Sequence, residues 1–296
     1  MNYHSGYIAI VGRPNVGKST LLNKLIGQKV SITARRPQTT RHNILGIRTT
    51  EHSQLIFVDT PGLHKKTPRA MNKYLNRAAS SALSGVDVVL FVVAGSKWNS
   101  DDELVLEKVQ NSGLPVLLVI NKIDLLKKRD ELLPLMNSLG ERHNFSGVVP
   151  VSAKTNYNID ELDDAVMGLI PSGQQMYPKE QVTDRSQRFM AAEIVREKLF
   201  RRLGQELPYS LTVEIERYEE EKEIVKISAV IYVESKGQKA IVIGKQGAML
   251  KSIGQESRTD LEHLIESKVF LQLWVKVKEG WSDDERALQS LGYKDT

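Results

Sequence analysis

A doubly wound, mostly parallel α/β domain followed by a smaller α+β domain is the architecture this sequence predicts, on three observations. Short apolar runs alternate with helix-length amphipathic stretches from Tyr7 to about Ile170, and several of the runs lack period-2 alternation, as parallel strands buried on both faces do. That rhythm stops at Pro171, where a polar stretch carries few core-forming residues. The length of 296 residues leaves room for two cores at about 150 residues per domain.

The apolar runs are Tyr7 to Val11, Leu55 to Val58, Val86 to Val93, Pro115 to Ile120 and Val148 to Val151. Between them lie helical segments such as Asp101 to Asn111, which opens on three acids suited to a helix N-terminus, and Ile159 to Leu169. A βαβ rhythm of this kind gives a parallel sheet. The first domain is therefore read as residues 1–170 and the linker as 171–183, leaving 184–296 for the second domain. Asp184 with Gln187 makes a capping box for a helix in which Ala191, Val195, Leu199 and Leu203 recur every fourth residue. Two strands follow, Leu211 to Tyr218 and Ile224 to Val233, then a long helix and a third strand near Val269 to Val277.

Composition excludes several classes. There is no cysteine, so disulfides, thiolate zinc sites and a cysteine nucleophile are absent. A hydrophobic share of 41% argues against disorder. No signal peptide opens the chain and no apolar run approaches the roughly 18 residues of a membrane span, so the sequence reads as a soluble, cytoplasmic protein.

Gly12-Arg13-Pro14-Asn15-Val16-Gly17-Lys18-Ser19 matches G-x-x-x-x-G-K-[ST] directly after a strand and before an apolar helix that begins at Thr20. This is a P-loop. Its backbone N–H groups curl around phosphate, Lys18 reaches the β- and γ-phosphates and Ser19 ligates Mg²⁺. Asp59-Thr60-Pro61-Gly62 follows the next strand, where Asp59 holds Mg²⁺ through water and the Gly62 N–H faces the γ-phosphate. Asn121-Lys122-Ile123-Asp124 decides the base: the Asp124 carboxylate accepts from the ring N1–H and 2-amino group of guanine, whereas adenine would leave it facing an acceptor. Ser152-Ala153-Lys154 can present a backbone N–H to the guanine carbonyl. The ligand is GTP rather than ATP. Gln38-Thr39-Thr40-Arg41-His42 reads as a switch loop in which Thr40 binds Mg²⁺ only when the γ-phosphate is present, with Thr39 the alternative.

The P-loop, Asp59-Thr60-Pro61-Gly62, Asn121-Lys122-Ile123-Asp124 and Ser152-Ala153-Lys154, each at the carboxyl end of a strand, resemble the translation-factor class of bacterial GTPases over residues 7–170. Leu63 stands where Ras-like enzymes carry a water-orienting glutamine. In relatives with a hydrophobic residue there, an asparagine at the place of Asn15 helps to hold a potassium ion, so the resemblance adds K⁺ to Mg²⁺; Asn15 is otherwise a turn-former after Pro14.

Charge divides unevenly. The chain carries 41 Lys+Arg against 36 Asp+Glu, yet residues 1–178 hold a net +6 and residues 179–296 a net −1. Locally the order reverses, because Ser235 to Gln255 contains Lys236, Lys239, Lys245 and Lys251 and no acid. Ile243-Gly244-Lys245-Gln246-Gly247 lies inside that window, and a Gly-x-x-Gly loop between helical segments lets single-stranded RNA approach the main chain. The second domain is similar to a bacterial KH domain.

A GTPase domain followed by one KH domain resembles the Era family. Asp184-Arg185-Ser186-Gln187-Arg188-Phe189, Glu206-Leu207-Pro208-Tyr209-Ser210 and Ile243-Gly244-Lys245-Gln246-Gly247 carry the likeness. It implies a GTP-hydrolysing switch, monomeric, that captures the 3′ end of small-subunit ribosomal RNA and assists assembly of the small ribosomal subunit. The alternatives are an RNA-binding module whose nucleotide site is only structural, or another ribosome-associated GTPase. Family members also associate peripherally with the inner membrane; no amphipathic anchor is evident in this sequence, and Trp274 and Trp281 read as surface and core aromatics.

Overall fold

The computed structural model describes residues 3–34, 36–63, 70–95, 98–204 and 207–293. Glu206, which carries part of one resemblance, lies outside the described residues. In chain order the first domain runs β1 (His4–Val11), α1 (Lys18–Ile26), β2 (Ile44–Thr49), β3 (Ser53–Asp59), α2 (Ala70–Ser81), β4 (Val88–Ala94), α3 (Ser100–Gln110), β5 (Val116–Asn121), α4 (Leu132–Gly140), β6 (Gly147–Pro150) and α5 (Ile159–Met167). The second runs α6 (Gln187–Arg202), β7 (Leu211–Glu220), β8 (Ile224–Val233), α7 (Lys236–Ile243), α8 (Ala248–Ile265), β9 (Lys268–Val277) and α9 (Glu285–Ser290).

The first sheet has the order β2-β3-β1-β4-β5-β6. Its strands are parallel except β2, which pairs antiparallel with β3 at the edge. Two apolar cores flank it. One holds Ile8, Ile10, Leu55, Phe57, Leu90 and Val119, and the other Ala9, Val11, Val89, Phe91, Leu118 and Ile120. Alternate residues of one strand therefore enter opposite cores, which is why these strands read as unbroken apolar runs. The sequence reading passes over β2. Its edge position leaves half of its residues partly exposed, so no such run marks it.

The second sheet has the order β7-β8-β9, with β8 and β9 parallel and β7 antiparallel to β8. Helices α6 and α8 cover one face, burying Val195, Leu199, Ile253 and Leu261. Leu250, Leu264 and Ile265 of α8 pack partly buried against these cores. Trp281 is fully buried and Trp274 is 58% exposed. Among the described residues no helix is long and apolar enough to cross a membrane.

Residues 171–183 are not a free tether. Ser5 Oγ donates to Gln174 O at 2.7 Å, the Tyr7 and Tyr177 hydroxyls meet at 2.8 Å, and Ile47 N donates to Val182 O at 2.9 Å. Asp184 ends this strap by accepting from Leu45 N at 3.0 Å. That overturns the expected capping box, since the cap of α6 is Ser186, whose Oγ accepts from Phe189 N. Asp184 is spent on the edge strand of the first domain instead.

Gln54, fully buried on β3, closes the strap. Its Nε2 donates to Thr49 Oγ1 and Tyr177 O, and its Oε1 accepts from Met176 N and Tyr177 N, all within 2.8–2.9 Å. A Gln54→Ala change strips these partners at a cost of about 1–3 kcal/mol. The expected outcome is cleavage within residues 171–183 by a broad-specificity protease about tenfold faster or more, as local opening rises by the same factor. An unchanged cleavage rate would contradict this account of the strap.

Candidate functional site: a phosphate loop, a guanine pocket and a Gly-x-x-Gly loop

The predicted motifs of the first domain converge at the carboxyl end of its sheet. The loop from Gly12 to Gly17 joins β1 to α1, and α1 starts at Lys18. A Cβ on Gly17 would stand 2.4 Å from Asn121 Nδ2, and Gly17 has φ +102°, so only glycine fits. Lys18 is buried, with Nζ donating to Gly12 O and Arg13 O at 3.0 and 3.1 Å. Burial lowers its pKa to about 8, against the opposing pull of the Asp59 charge. Pro14, Thr20 and Gly62 line the same small cavity as Lys18. Arg13 is committed elsewhere, in an ion pair of 2.9 Å with the buried Asp102, which also completes the capping box of α3 with Asn99.

Asp59, at the end of β3, gathers three hydroxyls. Its Oδ2 accepts from Ser19 Oγ at 2.6 Å, Ser31 Oγ at 2.9 Å and Thr40 Oγ1 at 3.3 Å, while Ser19 Oγ and Thr40 Oγ1 share a bond of 2.7 Å. Burial pushes the Asp59 carboxyl up, opposed by the Ser19 hydrogen bond and the Lys18 charge. Its Oδ1 is buried with no hydrogen-bond partner. One carboxylate, its oxygen unpartnered, among hydroxyl oxygens suits a hard divalent cation that keeps waters and binds phosphate oxygens. Thr39 does not join this cluster, because its Oγ1 donates to Arg36 O at 2.7 Å. Thr60 is buried and donates to Ile10 O at 2.8 Å, tying β3 to β1, and Pro61 follows it in the turn. Leu63 is buried in the core and brings no polar group. Asn15 is exposed, with φ +64°, the left-handed conformation that asparagine tolerates better than most residues.

Asn121 pins the other side. Its Nδ2 donates to Val16 O at 2.8 Å, and its Oδ1 accepts from Lys122 N at 2.7 Å and Ala153 N at 3.0 Å. Lys122 Nζ donates to Asn15 O. Asp124 is exposed, with Oδ1 accepting from Ser152 Oγ at 2.6 Å. Of the backbone N–H groups of Ser152-Ala153-Lys154, those of Ser152 and Ala153 donate to Tyr157 O and Asn121 Oδ1. A cavity of about 940 Å³ opens between Asn121, Lys122, Asp124 and Lys154, and Phe200 and Arg201 of α6 form part of its wall. The sequence reading missed this contribution of the second domain, and it missed Ser31.

In the second domain, Gly244, Lys245, Gln246 and Gly247 form a tight turn between α7 and α8. Gly244 has φ +73° and ψ 176°, Gln246 φ +50° and Gly247 φ +78°. Lys236, Lys245, Gln246 and Lys251 are exposed, Lys239 and Ile243 are half-buried, and Ile241 is 57% exposed beside the turn.

Two family models match the chain, a 50S ribosome-binding GTPase over residues 7–122 and a KH domain over residues 206–282. The chain is 56% identical to the GTPase Era of Ectopseudomonas mendocina over 98% of its length and 97% of that protein. It is 56% identical to the GTPase Era of Haemophilus influenzae over 99% of its length and 97% of that protein. Among solved structures, a crystal structure of Era in complex with MgGDPNP and nucleotides 1506–1542 of 16S ribosomal RNA superposes with a TM-score of 0.96 at 36% identity, covering 99% of this chain and all of that one. A tyrosine-to-alanine variant of Aquifex aeolicus Era bound to GDP and aluminium fluoride gives 0.95 at 36% identity with the same coverage.

A Cβ on Gly244 would meet Met249 Cβ at 2.6 Å in a conformation side chains avoid. Gly244→Ala is therefore expected to lower the stability of the second domain by about 1–3 kcal/mol, measured as a shift in its denaturant midpoint. An unchanged midpoint would mean that the turn relaxes without cost.

Proposed function

The chain belongs to the Era family of GTPases and hydrolyses GTP, and from that premise we propose that it is a switch whose nucleotide state governs its hold on the 3′ end of small-subunit ribosomal RNA during assembly of the small ribosomal subunit. The observation that carries the nucleotide half is the convergence of Ser19, Ser31 and Thr40 on Asp59 beside the buried Lys18.

Each residue then has a task. The backbone of Gly12 to Gly17 cradles the phosphates, and Lys18, desolvated and cationic, meets the charge that builds on the γ-phosphoryl oxygens. Ser19, Thr40 and Asp59 would hold Mg²⁺, which when bound neutralises charge on the β- and γ-phosphate oxygens. The Gly62 N–H faces the γ-phosphate. Asp124, braced by Ser152, accepts from the guanine N1–H and 2-amino group, and Lys122 and Asn121 keep the phosphate loop and guanine loop in register. Leu63 offers no hydrogen bond to the attacking water, so charge must be supplied from elsewhere. Asn15, exposed at the loop, is the residue we assign to holding K⁺. GTP hydrolysis is expected to be about tenfold faster in potassium than in sodium salts, ~1.4 kcal/mol of transition-state stabilisation, and Asn15→Ala should abolish that difference. Equal rates in both salts would sink the potassium assignment, and no turnover in either would sink the catalytic roles given to these residues.

The RNA half rests on the acid-free turn. Gly244 and Gly247 let the RNA backbone come close to the main chain, Lys236, Lys239, Lys245 and Lys251 supply phosphate contacts, Gln246 stands at the tip, and Ile241 with Ile243 edges an apolar groove for bases. Changing both Lys245 and Gln246 to aspartate should weaken binding of a 3′-terminal small-subunit RNA by about 10²-fold at fixed low salt and flatten the salt dependence. Unchanged affinity would place RNA elsewhere. If GTP tightens RNA binding, RNA tightens GTP binding by the same factor.

A further inference from the structure

The loop that carries Thr40 is held by its own domain, through Gln38 Nε2 to Asn72 Oδ1 at 2.8 Å and Asn43 Nδ2 to Ala78 O at 2.9 Å, and on each side of Thr40 by the second domain as well. On one side of Thr40, the Thr39 carbonyl accepts from Arg196 Nη2 of α6. Arg196 is itself gripped by Glu193, through bonds of 2.7 and 2.6 Å. On the other side, Arg41 reaches into the second domain and donates to Leu211 O at 2.8 Å, Pro208 O at 3.1 Å, Tyr209 O at 3.3 Å and the Tyr293 hydroxyl at 3.1 Å. The rings of Phe200 and Trp281 lie 5.7 and 5.9 Å from its guanidinium carbon. His42 stacks on Tyr293 at 4.8 Å.

Both arginines are buried, with exposures of 0% for Arg41 and 1% for Arg196. The acceptors of Arg41 named above are neutral oxygens, which makes it a costly way to glue two domains together, since apolar residues would do so more cheaply. What a guanidinium adds is direction. Its planar fork, received by four oxygens of the second domain, fixes where the neighbouring peptide sits.

We propose that Arg41 and Arg196 are positioning residues for Thr40, anchoring the chain on each side of it to the second domain so that its hydroxyl stays beside Ser19 and Asp59. This inference rests on the role given to Thr40 under Proposed function. Ordering of the loop is then done in part by domain docking, and the nucleotide finds Thr40 already in place. Because Thr40 engages only the triphosphate state, loss of an anchor must weaken that state selectively.

The test uses the full chain with Mg²⁺ and compares dissociation of a fluorescent non-hydrolysable GTP analogue with that of fluorescent GDP, for Arg41→Leu and for a Glu193→Leu, Arg196→Leu pair that removes both buried charges. Dissociation of the analogue is expected to speed up about tenfold in each while GDP stays within about twofold. Thr40→Ala should give the same selective effect, and Arg41→Leu added to it should bring nothing further. If Arg41→Leu fails to fold, Arg41→Lys keeps the charge and loses the fork, and should show the same selectivity. Equal effects on both nucleotides, or no effect on either while Thr40→Ala is selective, would overturn the inference. A Thr40→Ala chain with no selective loss would instead overturn the role of Thr40 itself.

Discussion

A single buried carboxylate organises the catalytic end of this molecule. Asp59 ends a strand whose seven residues are all buried, so its position is set by the packing of both cores. Around it stand three hydroxyls remote from it in sequence: Ser19 at the start of α1, and Ser31 and Thr40 in the stretch between α1 and β2. Leaving such a carboxylate dry and charged is costly. The hydroxyls and Lys18 offset that cost, and a divalent cation would offset more of it. The stretch between α1 and β2 is thus tied to the core at the site of chemistry, and Asp59 adds a shared acceptor to the direct bond between Ser19 and Thr40.

A second pin works at the base. Asn121 is 2% exposed, and it bridges the phosphate loop, its own strand end and the loop after β6 with three hydrogen bonds. An amide suits this position because it both donates and accepts, which neither a carboxylate nor an apolar residue of that size does. The result is one rigid frame in which Asp124, though exposed, keeps its orientation through Ser152. Guanine selection and phosphate binding therefore share their scaffold, and displacement of one loop is felt by the other.

The sequence made the first sheet legible wherever strands are buried on both faces, since Val88–Ala94 and Val116–Asn121 present nothing but apolar side chains up to their last residue. It hid β2, whose edge position breaks that signal. The phosphate and guanine motifs were legible because backbone geometry demands fixed spacings within a few residues. Ser31 and Arg196 were not, as each meets its partner across 28 and 157 residues and no local pattern records such a meeting. Asp184 shows the opposite failure. Its spacing to Gln187 fits a capping box, but a long-range partner, Leu45 N, took the carboxylate and left Ser186 to cap.

That competition between local and distant partners also resolves the charge of the second domain. Net −1 over residues 179–296 argues against an RNA-binding surface. Yet several of its acids are engaged in ion pairs: Glu193 with Arg196, Glu197 with Lys29 and Arg201, Asp260 with Lys198 and Lys29, Glu256 with Arg202, Glu216 with Lys276. Several of these pairs lie between α6 and α8 or reach the first domain. Among the described residues, Lys236, Lys239, Lys245 and Lys251 form no such pair. Screening limits exposed charges to a reach of about 8–10 Å at physiological salt, so a polyanion approaching the Gly-x-x-Gly turn meets these lysines and not the sum over the domain. Glu197 and Asp260, paired with Lys29, help to dock the domain to its neighbour, and the local potential at the turn is set by the unpaired lysines beside it.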